Sequence, residues 1–460
     1  MPERPVLPHP ASFRDPSGYI FTQQGSIFRA VSKSYQSEYD LLMSSNLYVH
    51  LIEQNVLIPH QEVSTPTVRD AYKVLKPEMV QFISYPYEWS FSQLKDAALT
   101  TLEIQTQALN HGMSLKDASA YNIQFHNGTP TLIDTLSFES YKEGQPWVAY
   151  RQFCQHFLAP LALMAHVDLR LGTLSAKYID GVPLDLAVSL LPGKTKFSLG
   201  LGTHIHLHAR SQHKYADTSL KSTPKGQLHK NQLNGLLLSL RSSISALTLP
   251  KQKTEWGNYY DNTNYTDNSR TIKEKTVREW ITAQKPKTVW DAGANDGTFS
   301  RLASAQGIFT VASDIDPLAV ERSYQHNKQS GERLLLPLII DLTNPSPAIG
   351  WRNTERDSFL KRGQHDLTLA LALIHHLAIA NNLPLEHIAD FFHSQTKNLI
   401  IEFVPKEDSN TQRLLSARED IFPNYTVEGF EKAFSTHFTT KKRLKIKDSS
   451  RILYLLESKP

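Results

Sequence analysis

The sequence predicts an α/β protein, with a mostly parallel sheet flanked by helices in its C-terminal part and a less regular α+β domain before it. Three observations predict this. After residue 255, short apolar runs alternate with amphipathic segments, the rhythm of consecutive βαβ units. A glycine loop, GANDG at 293–297, follows directly on an apolar run and opens a helix. Before residue 212, hairpin signals and helical periods occur without that alternation.

Bulk properties narrow the class. At 460 residues the chain suits two or three domains, and 40% apolar with 20% charged residues is a globular composition. A net charge of +4 with scattered basic residues gives no stripe for nucleic acid. Cys154 is the only cysteine, so no internal disulfide forms and a reducing compartment is expected. The opening MPERPVLPHP has too many prolines and charges for a signal-peptide core. The most apolar run, Leu367 to Ala380, is shorter than a bilayer span and carries His375 and His376. No membrane span and a cytoplasmic location are therefore expected.

The predicted domains are 1–210, a linker and connecting helix at 211–255, and 256–460. In the first, Gly18 to Val31 reads as a hairpin around Gln24-Gly25, and Phe91 to Asn110 as a long helix. Asn122 to Phe138 reads as two strands joined by His126-Asn127-Gly128, and Pro146 to Leu191 as mainly helical. The polar, basic stretch from Ser211 to Gln232 reads as a linker; a helical pattern follows and Pro250 ends it.

In the third domain an apolar strand ends at Asp291, and Gly293 and Gly297 flank a tight loop. Asp291 and Asp296 make that loop negative. This disfavours a pyrophosphate and suits a cationic ligand, whose ammonium group Asp291 is placed to hold. A second strand ends at Asp314, about twenty residues on, where a carboxylate can accept both ribose hydroxyls. Asp316-Pro317 starts a helix, and Asp316 reads either as a ligand contact or as a helix cap. A third strand leads to Asp341, a candidate acceptor for an adenine amino group. A fourth runs into His375-His376, a fifth ends at Glu402, and two strands around Asp448-Ser449-Ser450 close the chain.

DAGANDG, SDIDP, the acidic end of the third strand and the closing hairpin together resemble the class I S-adenosylmethionine-dependent methyltransferases, over roughly the last two hundred residues. The resemblance implies a Rossmann-like seven-stranded sheet, S-adenosylmethionine as cofactor, and cofactor contacts from Asp291, Gly293, Asn295, Gly297, Asp314, Asp316 and Asp341. Asn295 stands where the family usually has another glycine. One of His375 and His376 is a candidate general base with a pKa near neutrality; the alternative is a loop-corner hydrogen-bonding role. Glu402 either orients the acceptor or bonds a neighbouring loop. Tyr259, Tyr260 and Tyr265 either cover the cofactor or pack a docking segment. Because a sulfonium is a good leaving group, in-line positioning alone can suffice.

In the N-terminal half, LKDASAYNIQFHNGTPTLIDTLSF resembles the catalytic loop and metal-binding strand of kinase-like folds. The resemblance makes Asp117 the orienting base and Asn122 and Asp134 metal ligands. Leu115-Lys116 and Thr135-Leu136 depart from the usual residues, and no glycine-rich phosphate loop is present, so a degenerate kinase-like scaffold is expected. Arg29 and Lys33 are the candidates for the phosphate-contacting cation. The whole chain also resembles bacterial methyltransferases with a long N-terminal extension, including nodulation host-specificity type proteins. His204, His206 and His208 alternate and would share one face of a strand, but surface or structural roles are favoured over a metal site, and no metal is expected. The expected activity is methyl transfer to an oxygen or nitrogen of a small molecule or saccharide. The alternatives are a bifunctional enzyme with an ATP-dependent N-terminal domain, or an N-terminal acceptor-binding module.

Overall fold

A computed structural model gives the fold and describes residues 8–64, 68, 70–211, 229–249, 267–416 and 418–460. The chain divides into two compact units, Met1–Lys251 with Ala348–Asp357, and Gln252–Pro347 with Ser358–Pro460.

In the first unit β1 (Gly18–Gln23) and β2 (Ser26–Ser32) form an antiparallel hairpin. Its turn residues Gln24 and Gly25 both have positive φ (50° and 77°), the mirror-image turn that follows strand twist. With β3 (His60–Glu62) and β4 (Ala71–Pro77) they make a four-stranded sheet in the order β1-β2-β4-β3. α1 (Phe91–Asn110) opens with a capping box: Gln93 N donates to Ser90 Oγ at 3.4 Å and Ser90 N to Gln93 Oε1 at 2.9 Å. β5 (Met113–Leu115), β6 (Ile123–His126), β7 (Thr129–Leu132) and β8 (Phe138–Ser140) then pair as β5-β8 and β6-β7. Backbone bonds from Lys116 N to Ser137 O and from Ile133 N to Asn122 O, both 2.8 Å, draw the intervening loops together.

Two segments complete this unit. α2 (Lys230–Ala246), which the sequence leaves in a connecting region, buries Leu233, Leu237, Leu240 and Ile244, and Lys95 Nζ donates to its terminal carbonyls of Ser245 (2.8 Å) and Leu247 (2.7 Å). The second is the tongue Ala348–Asp357, drawn from far along the chain. Glu355 is buried and accepts Arg14 Nε and Nη2 at 2.9 and 3.0 Å and Trp351 N at 2.7 Å. Arg356 stacks over the Tyr121 ring at 4.6 Å, and Ile349 packs on Tyr85, Tyr87 and Tyr121.

The alternating histidines do not lie on a strand; His204 and His206 are in a π turn, Gly202–Leu207, and His208 is in the α-helical turn after it. His204 bonds Tyr150 and Ser239 (both 2.8 Å) and His206 bonds Thr195 (2.9 Å), so two of the three brace the fold.

The second unit begins with α3 (Asp267–Gln284). Its seven-stranded sheet comprises β9 (Thr288–Ala292), β10 (Phe309–Asp314), β11 (Leu335–Ile339), β12 (His365–Ala370), β13 (Thr396–Phe403), β14 (Phe438–Lys445) and β15 (Ile452–Ser458). The order is β11-β10-β9-β12-β13-β15-β14; the first five are parallel and β15 runs antiparallel between β13 and β14. β10 is buried at every position, as parallel strands covered on both faces require. Val289, Leu367, Leu369, Ile400, Leu453 and Leu455 knit one core across strands β9, β12, β13 and β15. Pro317 starts α4 (Pro317–Ser330) and Gly331, at φ 71°, ends it. The chain runs one way from β9 to β10 and the other way to β12, so a crevice opens at the carboxyl ends of β9 and its neighbours.

Candidate active site

A cavity of about 320 Å³ fills that crevice. It is lined by Asp291, Gly293, Asn295, Asp314, Asp341 and His376, six of the residues singled out from sequence. Gly297, Asp316, His375 and Glu402 are not among its lining residues.

The glycine loop is shaped by backbone geometry. Gly293, Asn295 and Gly297 all have positive φ (75°, 50° and 80°). Asparagine tolerates this left-handed region better than other side chains, which explains how it stands where a glycine is usual. At Gly293 a Cβ would also come within 3.2 Å of Leu373 Cδ1, itself part of the cavity wall. Gly293 N and Ala294 N both donate to Ser313 O at 2.9 Å, pinning the loop to β10.

Asp291 sits at the end of β9, buried, and accepts Ser300 Oγ at 2.6 Å. Burial pushes its pKa up to about 7 despite that bond and the nearby Lys273. Asp314, at the end of β10, accepts Asn295 N at 2.8 Å and Asp316 N at 2.9 Å, and burial raises it to about 6. The cavity thus holds two desolvated carboxyl groups at adjacent strand ends, an environment that a cationic or hydroxyl-rich ligand would relieve. Asp341 lies two residues beyond β11 and accepts Thr343 N (2.8 Å) and Oγ1 (2.7 Å). Asp316 accepts Leu318 N at 2.8 Å and acts as the cap of α4, the simpler of its two readings.

After β12 the chain turns sharply at Ala372 (φ 50°), and a π turn at His376–Ala380 presents His376, Leu377 and Ala380 to the cavity. The His376 ring packs against His375 at a tilt of 43°, with ring centroids 4.1 Å apart. The near-neutral titration expected of this pair is not what its surroundings give. Burial, then Arg451, holds His376 down at about 4; burial, then His376, depresses His375 further. Both rings are uncharged at neutral pH.

Glu402 ends β13 fully buried, behind the wall. It accepts Lys273 Nζ at 2.6 Å and lies 3.7 Å from Arg451, which in turn grips Asp408 at 2.7 and 3.1 Å. The Lys273 bond ties Glu402 to the neighbouring helix α3, the structural one of its two readings. Lys273, on α3, also reaches the cavity, as does Arg270 one turn before it. Sequence reasoning missed both; their one-turn spacing on an amphipathic helix was the available signal. Tyr259, Tyr260 and Tyr265 lie outside the described residues.

In the first unit, Asp117, Asn122 and Asp134 converge. Asp117 Oδ1 accepts Ser119 N (2.9 Å) and Gln152 Nε2 (2.8 Å), and Asn122 also bonds it. Burial and then the nearby Asp134 raise its pKa. Asn122 Nδ2 donates to Ser137 Oγ at 3.3 Å, and Asp134 accepts Leu136 N and Ser137 Oγ, both at 3.0 Å. Asp134 also forms a close ion pair with Arg29 of β2.

No family model matches the sequence. The chain is 36% identical over 456 residues to the nodulation protein NoeA of Rhizobium meliloti (strain 1021), spanning 97% of this chain and 95% of that protein. Among solved structures it is similar to the N-methyltransferase NodS of Bradyrhizobium japonicum WM9, at 13% identity and a TM-score of 0.32 over 42% of this chain and 98% of that one. It is also similar to the magnesium protoporphyrin IX methyltransferase ChlM of Synechocystis PCC 6803 with bound SAM, at 19% identity and a TM-score of 0.30 over 44% of this chain and 89% of that one. A match to the bifunctional kinase-methyltransferase WbdD, at 14% identity and a TM-score of 0.30, covers 42% of this chain and only 40% of that one.

Replacing Glu402 by Gln removes the carboxylate that Lys273 pairs with, while Arg451 keeps Asp408. The expected loss is about 3–5 kcal/mol of stability, measured by denaturant unfolding. A loss below about 0.5 kcal/mol, the scale of a surface substitution, would contradict the structural role.

Proposed function

This chain belongs to the family of the nodulation protein NoeA, and from that premise and the cavity's chemistry we propose that it is an S-adenosylmethionine-dependent methyltransferase. The observation that carries the reading is the pair of buried carboxyl groups, Asp291 and Asp314, at the ends of adjacent strands around a loop of positive-φ residues. The cofactor is S-adenosylmethionine. Asp291 would hold its ammonium group, Asp314 its ribose hydroxyls and Asp341 its adenine amino group, with Gly293, Asn295 and Gly297 shaping the loop. When bound, it supplies an electrophilic methyl group on a sulfonium.

The basic groups at the cavity are paired or uncharged: Arg270, which lines it, pairs with Glu274 at 2.9 Å. His376 and His375 are uncharged, and Lys273 is neutralised by Glu402. His376 faces the cavity and is the group that can take a proton from the acceptor at a ring nitrogen, while the tilted ring of His375 packs against it. The acceptor is an oxygen or nitrogen of a small molecule or saccharide. The catalytic domain is the stretch 256–460 apart from the tongue Ala348–Asp357, which belongs to the first unit, and the single buried Cys154 suits the cytoplasm.

A second reading concerns the N-terminal unit: a degenerate kinase-like module that presents the acceptor. The Arg29–Asp134 pair favours it, because an internal guanidinium already neutralises the carboxylate that a magnesium ion would need. The alternative is an ATP-dependent activity.

Asp291→Ala and Asp314→Ala are each expected to abolish S-adenosylmethionine binding by calorimetry while the circular dichroism spectrum is kept; retained binding in both variants overturns the site. In the wild type, affinity should fall about tenfold per pH unit below 7 as Asp291 protonates. The sign for stability is opposite. Carboxyl pKa values raised on folding stabilise the ligand-free protein below about pH 4, and that contribution is lost as pH rises through 6 and 7. The cofactor's thermal shift should therefore grow from pH 6 to pH 8. For the N-terminal unit, no heat is expected on titrating ATP with magnesium, and saturable binding lost in Asp134→Ala would restore the ATP-dependent alternative.

A further inference from the structure

His204 and His206 brace a tip that projects two bare apolar side chains. Phe197 is 91% exposed and Leu199 87% exposed, and Leu207 on the following helical segment is 58% exposed. Exposed Leu199, Thr203 and Leu207 recur every four residues, so they mark one face. An exposed phenylalanine beside an exposed leucine is a costly surface for a chain that leaves it in water.

The tip is held from below by specific packing. Thr195 Oγ1 donates to Pro192 O at 2.7 Å and bonds His206 at 2.9 Å, while His204 is fixed between Tyr150 and Ser239. Gly200 packs so closely on α2 that a Cβ would lie 1.9 Å from Ser243 Oγ, and one at Gly202 would lie 2.6 Å from Lys196 O. The backbone is thus built to turn tightly here and to present Phe197 and Leu199 outward.

The charge along this segment has one sign. Lys194 and Lys196 are exposed beside Phe197, Arg210 is exposed one turn beyond Leu207, and the sequence from Leu186 to Ser211 contains no aspartate or glutamate. Apolar side chains flanked by lysines, on a segment that carries no carboxylate, complement a surface of anionic lipid headgroups over an acyl interior. A protein partner with an apolar pocket would not need the uniform positive charge.

We infer that the tip Lys194–Leu199 is a membrane-surface anchor, with Phe197 and Leu199 inserted at the headgroup–acyl boundary and Lys194 and Lys196 on anionic headgroups. The anchor is reversible, since two side chains bury far less than a lipid chain or a spanning helix.

The test is co-sedimentation of the full chain with vesicles of phosphatidylglycerol and phosphatidylcholine in equal parts, and with phosphatidylcholine alone. The wild type is expected to partition onto the anionic vesicles and to be released by raised salt. Phe197→Ser with Leu199→Ser should weaken partitioning by about tenfold or more, and Lys194→Gln with Lys196→Gln by a similar factor. Both double variants should keep the wild-type thermal midpoint, because the altered side chains are exposed. Absence of wild-type partitioning, equal partitioning onto phosphatidylcholine, or undiminished partitioning of the Phe197/Leu199 variant overturns the proposal. So does a dimer in sedimentation velocity that this variant converts to monomer, which would make the tip a contact between copies.

Discussion

The second unit is organised around a buried row of four charges, Lys273–Glu402–Arg451–Asp408. These residues come from α3, the end of β13, the turn into β15, and the cap of the helix Ser409–Leu415, so elements far apart in sequence meet at one neutral cluster. A buried ion pair adds little net stability over an apolar alternative, but removing one member is expensive. The arrangement therefore specifies which helix lies on which strand end. It also sets the field of the adjoining cavity. Arg451 contributes to holding His376 uncharged, and Glu402 cancels the charge that Lys273 would otherwise bring to the wall.

Against that background the carboxyl groups at the strand ends have a definite character. Asp291 and Asp314 are desolvated by the same packing that buries β9 and β10, so the burial that builds the sheet also raises the pKa of the carboxyl groups at its strand ends. Their hydrogen bonds, from Ser300 to Asp291 and from Asn295 and Asp316 to Asp314, orient them without fully compensating the loss of water.

Much of this was legible in the sequence where a simple period applied. Alternating apolar runs marked the strands, and acidic residues at their ends marked Asp291, Asp314 and Asp341. What escaped depended on long-range placement. Arg270 and Lys273 read as ordinary polar positions of a helix until that helix lies over the cavity. The cavity wall after β12 needs a positive-φ alanine at 372 and a π turn at 376–380, neither of which has a composition signature. The low pKa values of His375 and His376 follow from burial that only packing creates. Asp316 satisfied both a cap and a ligand pattern, and the backbone geometry favours the cap. In the first unit Asp117, Asn122 and Asp134 were found by spacing, whereas α2 looked like a connector because its partner, α1, lies more than a hundred residues earlier.

The tongue Ala348–Asp357 has a consequence for how the protein is made. The first unit holds a buried acceptor, Glu355, for Arg14, yet about a hundred residues separate the tongue from the rest of that unit at Lys251. At ribosomal rates of about 5–20 residues per second, an N-terminal unit leaving the exit tunnel waits roughly 5–20 s for its missing piece. During that interval the aromatic surface of Tyr85, Tyr87 and Tyr121 lacks Ile349. The two units thus share one biosynthetic history. A gene fragment ending at the boundary would encode an N-terminal unit whose Arg14 keeps only the exposed Asp180 at 3.3 Å, so recombination at that point carries a penalty that a simple tandem array does not.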